Sequence, residues 1–446
     1  MSTKHSIHDI YKALEAGTLL QVKSLLNNAL HPAEIGHFLE SLPPSKRLVV
    51  WELIEPEIAG DILLEVNDEV RAGLIKTTQP KDLIQATENL DTDDLADLLQ
   101  DLPSSIVAEV LQSMDKQNRL RLEKVLSYPE DSAGGLMNPD TVTVRADVTL
   151  DVVQRYLRLM KNKMADNTDC CIVVNRTDHY LGILWFTDIL TSDPSSTVAQ
   201  VMSHDVDAIT VHTRDKEVAQ LFEQRNLISA PVVTKSGLLI GRITIDDVVD
   251  VIRDEAEHSL MSMAGLDEDN DMFAPVLTST KKRAAWLAVN LITALLAVWS
   301  ISLFEGTIRE YVALAILMPI VSSMGGIAGS QTLTIVIRGL ALGQVSKSNT
   351  KSLLLKELAI GTLNGLIWSL FVAIIAVAWY QNIDIGAVIA IAMLVNLSLA
   401  AVAGVLIPIA MVRIGIDPAL AGSVLLTTVT DIVGFVAFLG LATIYL

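Results

Sequence analysis

The chain has 446 residues, and its formal net charge of −19 is unevenly distributed. Residues 1–280 carry 46 acidic and 24 basic side chains, a net charge of −22, whereas residues 281–446 carry 6 acidic and 9 basic side chains. A strongly acidic surface repels nucleic acid and attracts cations, so a nucleic-acid-binding function is excluded. The length exceeds that of one ordinary domain and predicts two to four.

Residues 1–130 are predicted to form a cytosolic, α-helical domain. Leu-Pro pairs precede apolar-periodic runs in "SLPPSKRLVVWELI" and again in "DLPSSIVAEVLQSM". Short amphipathic helices that begin at recurring prolines are typical of a helical repeat array.

An acidic stretch, "DTDDLADLLQD", lies within this helical region. Asp93 and Asp97 are four residues apart and share one helix face, with Asp94 beside them. Like charges at this spacing repel one another. The stretch is therefore either a solvated acidic face or a site for a divalent cation, which prefers oxygen ligands.

Residues 131–253 contain an internal duplication, each copy predicted as strand, helix, strand, strand, helix. "YLGILWFTDIL" is echoed by "LIGRITIDDVV", so that Gly182 and Asp188 recur as Gly241 and Asp247. The pattern resembles a tandem pair of CBS domains, which are regulatory α/β modules rather than catalysts. The resemblance implies that Asp188 and Asp247 can contact an adenosine ribose, with ATP as a candidate ligand.

A long amphipathic helix is predicted to connect the duplicated region to the hydrophobic region, over residues 254–283. A second acidic group lies at the end of the second copy and in this helix, comprising Asp246, Asp247, Asp250 and Glu255. A rigid helix leading to "KKR" and the first apolar stretch is suited to transmit a change in the regulatory part to the membrane part.

Residues 284–446 are predicted to form a transmembrane domain of five helices. Ala284 to Phe304 is a charge-free run of 21 residues, about 31 Å long at 1.5 Å per residue, which spans a bilayer core. Four more spans are predicted at 311–337, 358–380, 385–412 and 418–446.

The basic residues around these spans predict the orientation in a plasma (inner) membrane. Arg309 lies on one side, and eight basic residues lie on the other: Lys281, Lys282, Arg283, Arg338, Lys347, Lys351, Lys356 and Arg413. By the positive-inside rule, the N-terminal region faces the cytoplasm and the C-terminus lies outside.

Polar residues interrupt these helices at membrane depth. "SSMGGIAGSQT" (Ser322–Thr332) favours a broken or pore-lining backbone over close helix packing. Asp431 is a carboxylate within the last span, where a charge costs about 2.5–3.5 kcal/mol on insertion scales. Because the basic residues lie near the helix ends, a water-filled cation path best explains Asp431.

Several motifs together resemble the MgtE family of magnesium transporters: "YPEDSAGGLM", the duplicated region, "MPIVSSMGGIAGSQT", "VIRGLALG" and "GIDPALAGSVLLTTVTDIVGF". The resemblance implies a homodimer with a pore on its two-fold axis, in which Asp431 binds hydrated Mg²⁺. Ser423, Thr427 and Thr428 lie one or two helical turns from Asp431 and are predicted to line the pore, together with Gly325, Gly326 and Gln331 of the glycine-rich stretch. Ile327 and Ser330 stand where the family pattern has amides, and Arg253 and His258 stand where acids are common.

Three functions are compatible with these features. The leading one is a Mg²⁺-selective channel for uptake and magnesium homeostasis, closed by Mg²⁺ binding to Asp93, Asp94, Asp97 and the second acidic group. The alternatives are a secondary transporter that exchanges Mg²⁺ or Co²⁺ against Na⁺ or H⁺, and a membrane-anchored Mg²⁺ sensor without transport. The sequence has no nucleophile–base set or phosphate-binding loop, so an enzyme is not predicted.

Overall fold

A computed structural model describes residues 8, 10–14, 16–88, 90–161, 164, 168–266 and 271–446. The chain divides into two compact units. Unit 1 comprises Met1–Ala256 and Asp269–Ala274, and unit 2 comprises Glu257–Glu268 and Pro275–Leu446. The predicted multi-domain fold class is confirmed, with a helical N-terminal part, a tandem CBS pair and five apolar helices.

The N-terminal part of unit 1 is built from short helices that begin at turns. They are α1 (Leu19–Asn28), α2 (Pro32–Glu40), α3 (Pro44–Trp51), α4 (Pro56–Leu64), α5 (Asp68–Thr77), α6 (Pro80–Ala86), α7 (Thr92–Asp101), α8 (Ser104–Ser113) and α9 (Lys116–Val125). Proline occupies the first turn of α2, α3, α4 and α6. Proline is tolerated there because its missing N–H would have no helical partner in any case.

A buried ion pair joins this helical part to the segment that follows the connecting helix. The Arg47 guanidinium donates two hydrogen bonds to the Asp271 carboxylate, at 2.8 and 3.0 Å. It also donates to the Leu39 and Leu42 carbonyls, so that the charge is satisfied at only 6% side-chain exposure.

In the part of the CBS pair that the structure describes, each copy contains a three-stranded sheet, and the two sheets have the same topology. The first copy has β1 (Thr143–Arg145), α10 (Leu150–Met160), β2 (Cys170–Val174), β3 (Tyr180–Trp185) and α11 (Phe186–Thr191). The second has α12 (Val198–Val201), β4 (Ile209–Thr210), α13 (Asp215–Arg225), β5 (Ser229–Val233), β6 (Leu239–Thr244) and α14 (Ile245–Met263).

The register of the two sheets confirms the duplication. The first two strands of each copy run parallel, and the second and third are antiparallel. Gly182 pairs with Val173, and Gly241 pairs with Val232 in the second copy. The recurring glycines therefore occupy equivalent positions at a sheet strand.

The connecting helix differs from the predicted 254–283. Helix α14 begins at Ile245, directly after β6, and ends at Met263. Gly265 adopts φ +68°, and the Leu266 N–H donates to the Met261 carbonyl, which is a glycine-terminated helix end. Residues 267–270 of the predicted helix lie outside the described residues, and Pro275 precedes the next helix.

Among its described residues, unit 2 contains five helices long and apolar enough to cross a membrane. They are α15 (Val276–Ser302), α17 (Val312–Ala341), α18 (Thr350–Tyr380), α19 (Ile383–Arg413) and α20 (Pro418–Tyr445), with the short α16 (Glu305–Glu310) after α15. The prediction of five helices capable of spanning a membrane is confirmed, and α19 is the most buried of them.

Helix α17 runs without interruption through the glycine-rich stretch, so the prediction of a broken backbone there is wrong. The glycines instead allow close packing. A Cβ on Gly329 would lie 3.0 Å from Leu426, and one on Gly404 would lie 2.8 Å from Thr332. Small residues let membrane helices approach closely, which is what the stretch provides.

Candidate functional site

A cavity of about 350 Å³ lies within unit 2, between α15, α20 and the end of α14. Its lining residues are Met263, Ala264, Trp286, Asn290, Thr293, Ala294, Ser423, Val424, Thr427, Thr428 and Asp431. The cavity combines one carboxylate with several neutral oxygen-bearing side chains, in a unit that is otherwise strongly apolar.

Asp431 is the anionic group of this cavity. It is half-buried on α20, and its Oδ1 accepts a hydrogen bond from the Ser322 hydroxyl of α17 at 2.5 Å. Among the residues that the structure describes, no Lys or Arg lies within 4.0 Å of this carboxylate. A single hydroxyl leaves most of the charge uncompensated, and a buried charge without a partner is costly.

The neighbouring threonine hydroxyls donate their protons within α20, which leaves their oxygen lone pairs available to the cavity. The Thr427 hydroxyl donates to the Ser423 carbonyl at 2.9 Å, and that of Thr428 donates to the Val424 carbonyl at 2.7 Å. Because a hydroxyl has one donor and two acceptor lone pairs, its oxygen remains able to accept from water or to face a cation. Asn290 likewise donates its amide to its own helix, at the Trp286 carbonyl.

Four of the residues assigned from the sequence meet at this cavity: Asp431, Ser423, Thr427 and Thr428. Gly325, Gly326 and Gln331 are not among its lining residues. Gly325 is buried against Asn396, and Gln331 is exposed on α17.

The sequence analysis did not assign roles to Ser322, Thr293 or Trp286. Ser322 lies 109 residues before Asp431, so that no spacing rule pairs the two. The sequence did contain one indication of a role for Ser322. It is a serine at membrane depth in an apolar helix, and such hydroxyls usually have a hydrogen-bonding role.

A second candidate site lies in unit 1, where the charges of acidic residues on α7 and α14 interact. Burial raises the pKa of Asp94 to about 7, and the nearby Asp247 adds to the rise. Burial, Glu130 and Asp94 raise the pKa of Asp97 to about 7. Burial raises the pKa of Asp247 to about 6, with a further contribution from Asp246.

Asp93 is the most buried member of this acidic group. Burial and the charge of Asp247 raise its pKa well above the ordinary value. Its Oδ1 accepts a hydrogen bond from Asn138 at 3.0 Å, and the neighbouring Thr92 donates to Asp140 at 2.6 Å. These contacts join α7 to the loop that enters the first CBS copy.

Two other acids that the sequence analysis placed in the regulatory Mg²⁺ site have cationic partners. Glu255 pairs with Lys216, and Asp250 pairs with Arg253 at 3.1 Å. In the described part of the chain, no three His, Cys, Asp or Glu side chains form a ready-made metal site. The acids of α7 and α14 are thus a region of negative potential rather than a complete set of direct ligands.

The two repeated aspartates of the CBS pair differ in their partners. Oδ2 of Asp247 accepts from both the backbone N–H and the hydroxyl of Thr244, at 3.1 and 3.0 Å. It therefore caps the start of α14. Asp188 lies in the first turn of α11 and is partly exposed.

Comparisons with known proteins cover most of the chain. Residues 318–441 match the MgtE family, described as divalent cation transporters. Residues 30–131 match the MgtE intracellular N domain, and residues 198–254 match the CBS domain.

Two full-length relatives and one solved structure are similar. The magnesium transporter MgtE of Bacillus subtilis is 27% identical, over 97% of this chain and 96% of its own length. That of Thermus thermophilus is 29% identical, over 98% of each. The cytosolic domain of the Mg²⁺ channel MgtE in complex with ATP is 31% identical, has a TM-score of 0.50, and is covered to 99% by 55% of this chain.

Proposed function

The chain belongs to the MgtE family of magnesium transporters, and we propose that it is a multi-pass membrane channel for Mg²⁺ uptake. The observation that carries this proposal is the cavity in unit 2, where Asp431 has only the Ser322 hydroxyl as a described partner. A carboxylate at membrane depth without a cationic side chain is suited to a passing cation.

The size and chemistry of the cavity support Mg²⁺ with its waters. Mg²⁺ dehydrates reluctantly and is usually held by one or two carboxylates and several waters. Six waters occupy roughly 180 Å³ at about 30 Å³ each, which is less than the cavity volume of about 350 Å³. Ser423, Thr427 and Thr428 offer oxygens to such a hydrated ion.

A coupled transporter is the second candidate, and one observation favours it. Glu357 on α18 is only 4% exposed, and the Thr332 hydroxyl donates to it at 3.3 Å. A buried carboxylate in a membrane unit can carry a coupling ion. However, the membrane potential alone drives a divalent cation inward by about 4.6 kcal/mol per 100 mV, so that coupling is not required.

The regulatory part of the proposal concerns the acids of α7 and α14. Their raised pKa values mean that bringing them together costs free energy, which a cation would recover. Mg²⁺ can bridge carboxylates through its bound waters, so direct ligands need not converge. High cytosolic Mg²⁺ would then favour the compact unit 1 and close the pore.

Helix α14 is the proposed route from this acidic group to the cavity. It carries Asp246, Asp247 and Asp250 in its first two turns. Its last residue, Met263, lines the cavity that contains Asp431. One continuous helix can therefore transmit a change at its start to the residues at its end.

Assembly, orientation and nucleotide binding complete the proposal. The chain is proposed to form a homodimer, because two-fold closure lets two Asp431 carboxylates share one ion path. The excess of basic residues on one side of the spans supports a cytoplasmic N-terminus and an outward C-terminus in the plasma membrane. ATP binding at the CBS pair is supported by the similar ATP-bound cytosolic domain, with Asp188 as its ribose contact.

The function is tested by Mg²⁺ influx into proteoliposomes that have a membrane potential but no Na⁺ or proton gradient. Rapid influx that Asp431→Ala abolishes supports the channel. Influx only with an imposed Na⁺ or proton gradient, lost in Glu357→Gln, would favour the coupled transporter. Influx that Asp431→Ala leaves unchanged would contradict both assignments of this residue.

The regulatory part is tested by limited proteolysis. Millimolar Mg²⁺ should protect residues 1–280. A variant with Asn at positions 94, 97, 247 and 250 should lose this protection and remain open at high cytosolic Mg²⁺. A variant that is still protected and still closes would show that these acids do not sense the ion.

A further inference from the structure

Asn396 occupies a tightly packed junction of unit 2. It lies on α19 with 0% exposure, and its Nδ2 donates to the Val321 carbonyl of α17 at 2.9 Å. A Cβ on Gly325 would lie 2.2 Å from this nitrogen, and a Cβ on Gly434 of α20 would lie 2.7 Å from it. Only glycine at both positions leaves room for the amide between α17 and α20.

The junction is adjacent to the Asp431 site along both helices. Val321 directly precedes Ser322, whose hydroxyl donates to Asp431. Gly434 is three residues, or about one helical turn, beyond Asp431 on α20. The Asn396 amide thus contacts the backbones that carry both members of the Ser322–Asp431 pair.

Packing alone does not account for an amide at this position. Within the described residues, Asn396 Oδ1 is buried and has no hydrogen-bond partner. Burying an unsatisfied acceptor costs free energy, and an apolar side chain would not carry that cost. What the amide adds over leucine is its N–H donation to α17.

We propose that Asn396 is a positioning residue for cation binding, which sets the approach of α17 to α20 and so holds Ser322 against Asp431. This inference rests on the proposed role of Asp431 in binding Mg²⁺. Asn396 acts through the two helices that it joins and does not itself need to contact the ion.

The first test is Asn396→Leu, measured as Mg²⁺ influx into proteoliposomes that contain no internal Mg²⁺. The external Mg²⁺ concentration for half-maximal influx should rise about tenfold, or about 1.4 kcal/mol, with a smaller change in maximal rate. Asn364→Leu is the matched control, since Asn364 is exposed on α18, and it should leave both parameters unchanged.

The second test reaches the same junction without changing Asn396. Gly434→Ala displaces the amide and should raise the half-maximal concentration as Asn396→Leu does. Gly440→Ala is its control on the same helix, because a Cβ there would lie 3.9 Å from Phe304, an ordinary contact. If Asn396→Leu does not assemble, Gly434→Ala and its control still test the proposed positioning role of Asn396.

A variant cycle separates positioning from a general structural effect. In a Ser322→Ala background, Asn396→Leu should add little, because the pair that it positions is already broken. The inference is overturned if Ser322→Ala and Asn396→Leu change the half-maximal concentration by independent factors that multiply. It is also overturned if both Asn396→Leu and Gly434→Ala have normal half-maximal concentrations. Loss of influx in Asp431→Ala in the same experiments would keep the proposed function intact, whereas normal influx there would overturn that function instead.

Discussion

Mg²⁺ binding to the cytosolic acids should release protons, in an amount that depends on pH. The pKa values of Asp94 and Asp97 are about 7, and that of Asp247 is about 6. From these values, the three groups together hold roughly 1.8 protons at pH 6.5 and roughly 0.2 at pH 8. A cation that ionises all three must displace those protons.

The sign of this linkage also fixes how affinity changes with pH. Protons and Mg²⁺ compete for the same carboxylates, so the apparent affinity of unit 1 for Mg²⁺ should increase from pH 6.5 to pH 8. Acidification should therefore weaken closure at a given Mg²⁺ concentration. The effect should be lost once the raised-pKa groups are replaced by amides.

Calorimetric titration of the full chain in nanodiscs measures the released protons directly. Heats are compared in two buffers of different ionisation enthalpy, at pH 6.5 and pH 8, in an Asp431→Asn background that removes the membrane site. Release at pH 6.5 should exceed release at pH 8 by about one to two protons. Equal release at both pH values, or unchanged release in Asp94→Asn/Asp97→Asn, would refute the assignment.

Three further predictions concern stability and closure. Without Mg²⁺, the folded unit 1 binds more protons than the unfolded chain between about pH 4 and pH 7. Its unfolding temperature should therefore fall as pH rises through that window, and a rise in unfolding temperature would contradict the pKa assignments. Arg47→Met leaves Asp271 buried without its partner and should destabilise unit 1 by about 3–5 kcal/mol, seen as faster hydrogen exchange in α2 and α3, with recovery in Arg47→Met/Asp271→Leu. Gly265→Ala places a Cβ 1.9 Å from Trp286 at φ +68° and should leave influx high at millimolar cytosolic Mg²⁺, whereas normal closure would show that this helix end does not gate the cavity.

Much of the architecture follows from patterns along the chain. Charge-free runs of about 20 residues gave the five spans, because their length and composition alone meet the demands of a bilayer. The repeat of Gly182 and Asp188 at Gly241 and Asp247 gave the duplicated module, because both copies use the same register. These features depend on local composition and on self-similarity.

The boundaries and the glycine-rich helix were less predictable. The glycines at 325 and 329 are compatible with either a broken backbone or close packing, and only the partners Asn396 and Leu426 decide for packing. The predicted boundary between residues 253 and 254 falls within α14, because the sequence pattern of the last CBS helix continues smoothly into the connecting helix.

The candidate site was predicted in part. Asp431 was identified because a charge at membrane depth needs a cause, and Thr427 and Thr428 followed from helical spacing. Ser322 and Asn396 were not assigned to it, since their contacts with α20 are between helices distant in sequence. The proximity of the acids on α7 to those on α14 likewise depends on tertiary packing, which residue spacing along the sequence does not predict.

The central claim is that a cation passes Asp431, and unitary current in a planar bilayer tests it most directly. With Mg²⁺ as the only permeant cation, the wild-type chain should show discrete inward currents at negative potential when cytosolic Mg²⁺ is low. Asp431→Asn keeps the shape of the side chain but removes its charge, and it should reduce the unitary Mg²⁺ current at least tenfold, about 1.4 kcal/mol. A unitary current in Asp431→Asn equal to that of the wild type would contradict the claim that the ion path runs past this carboxylate.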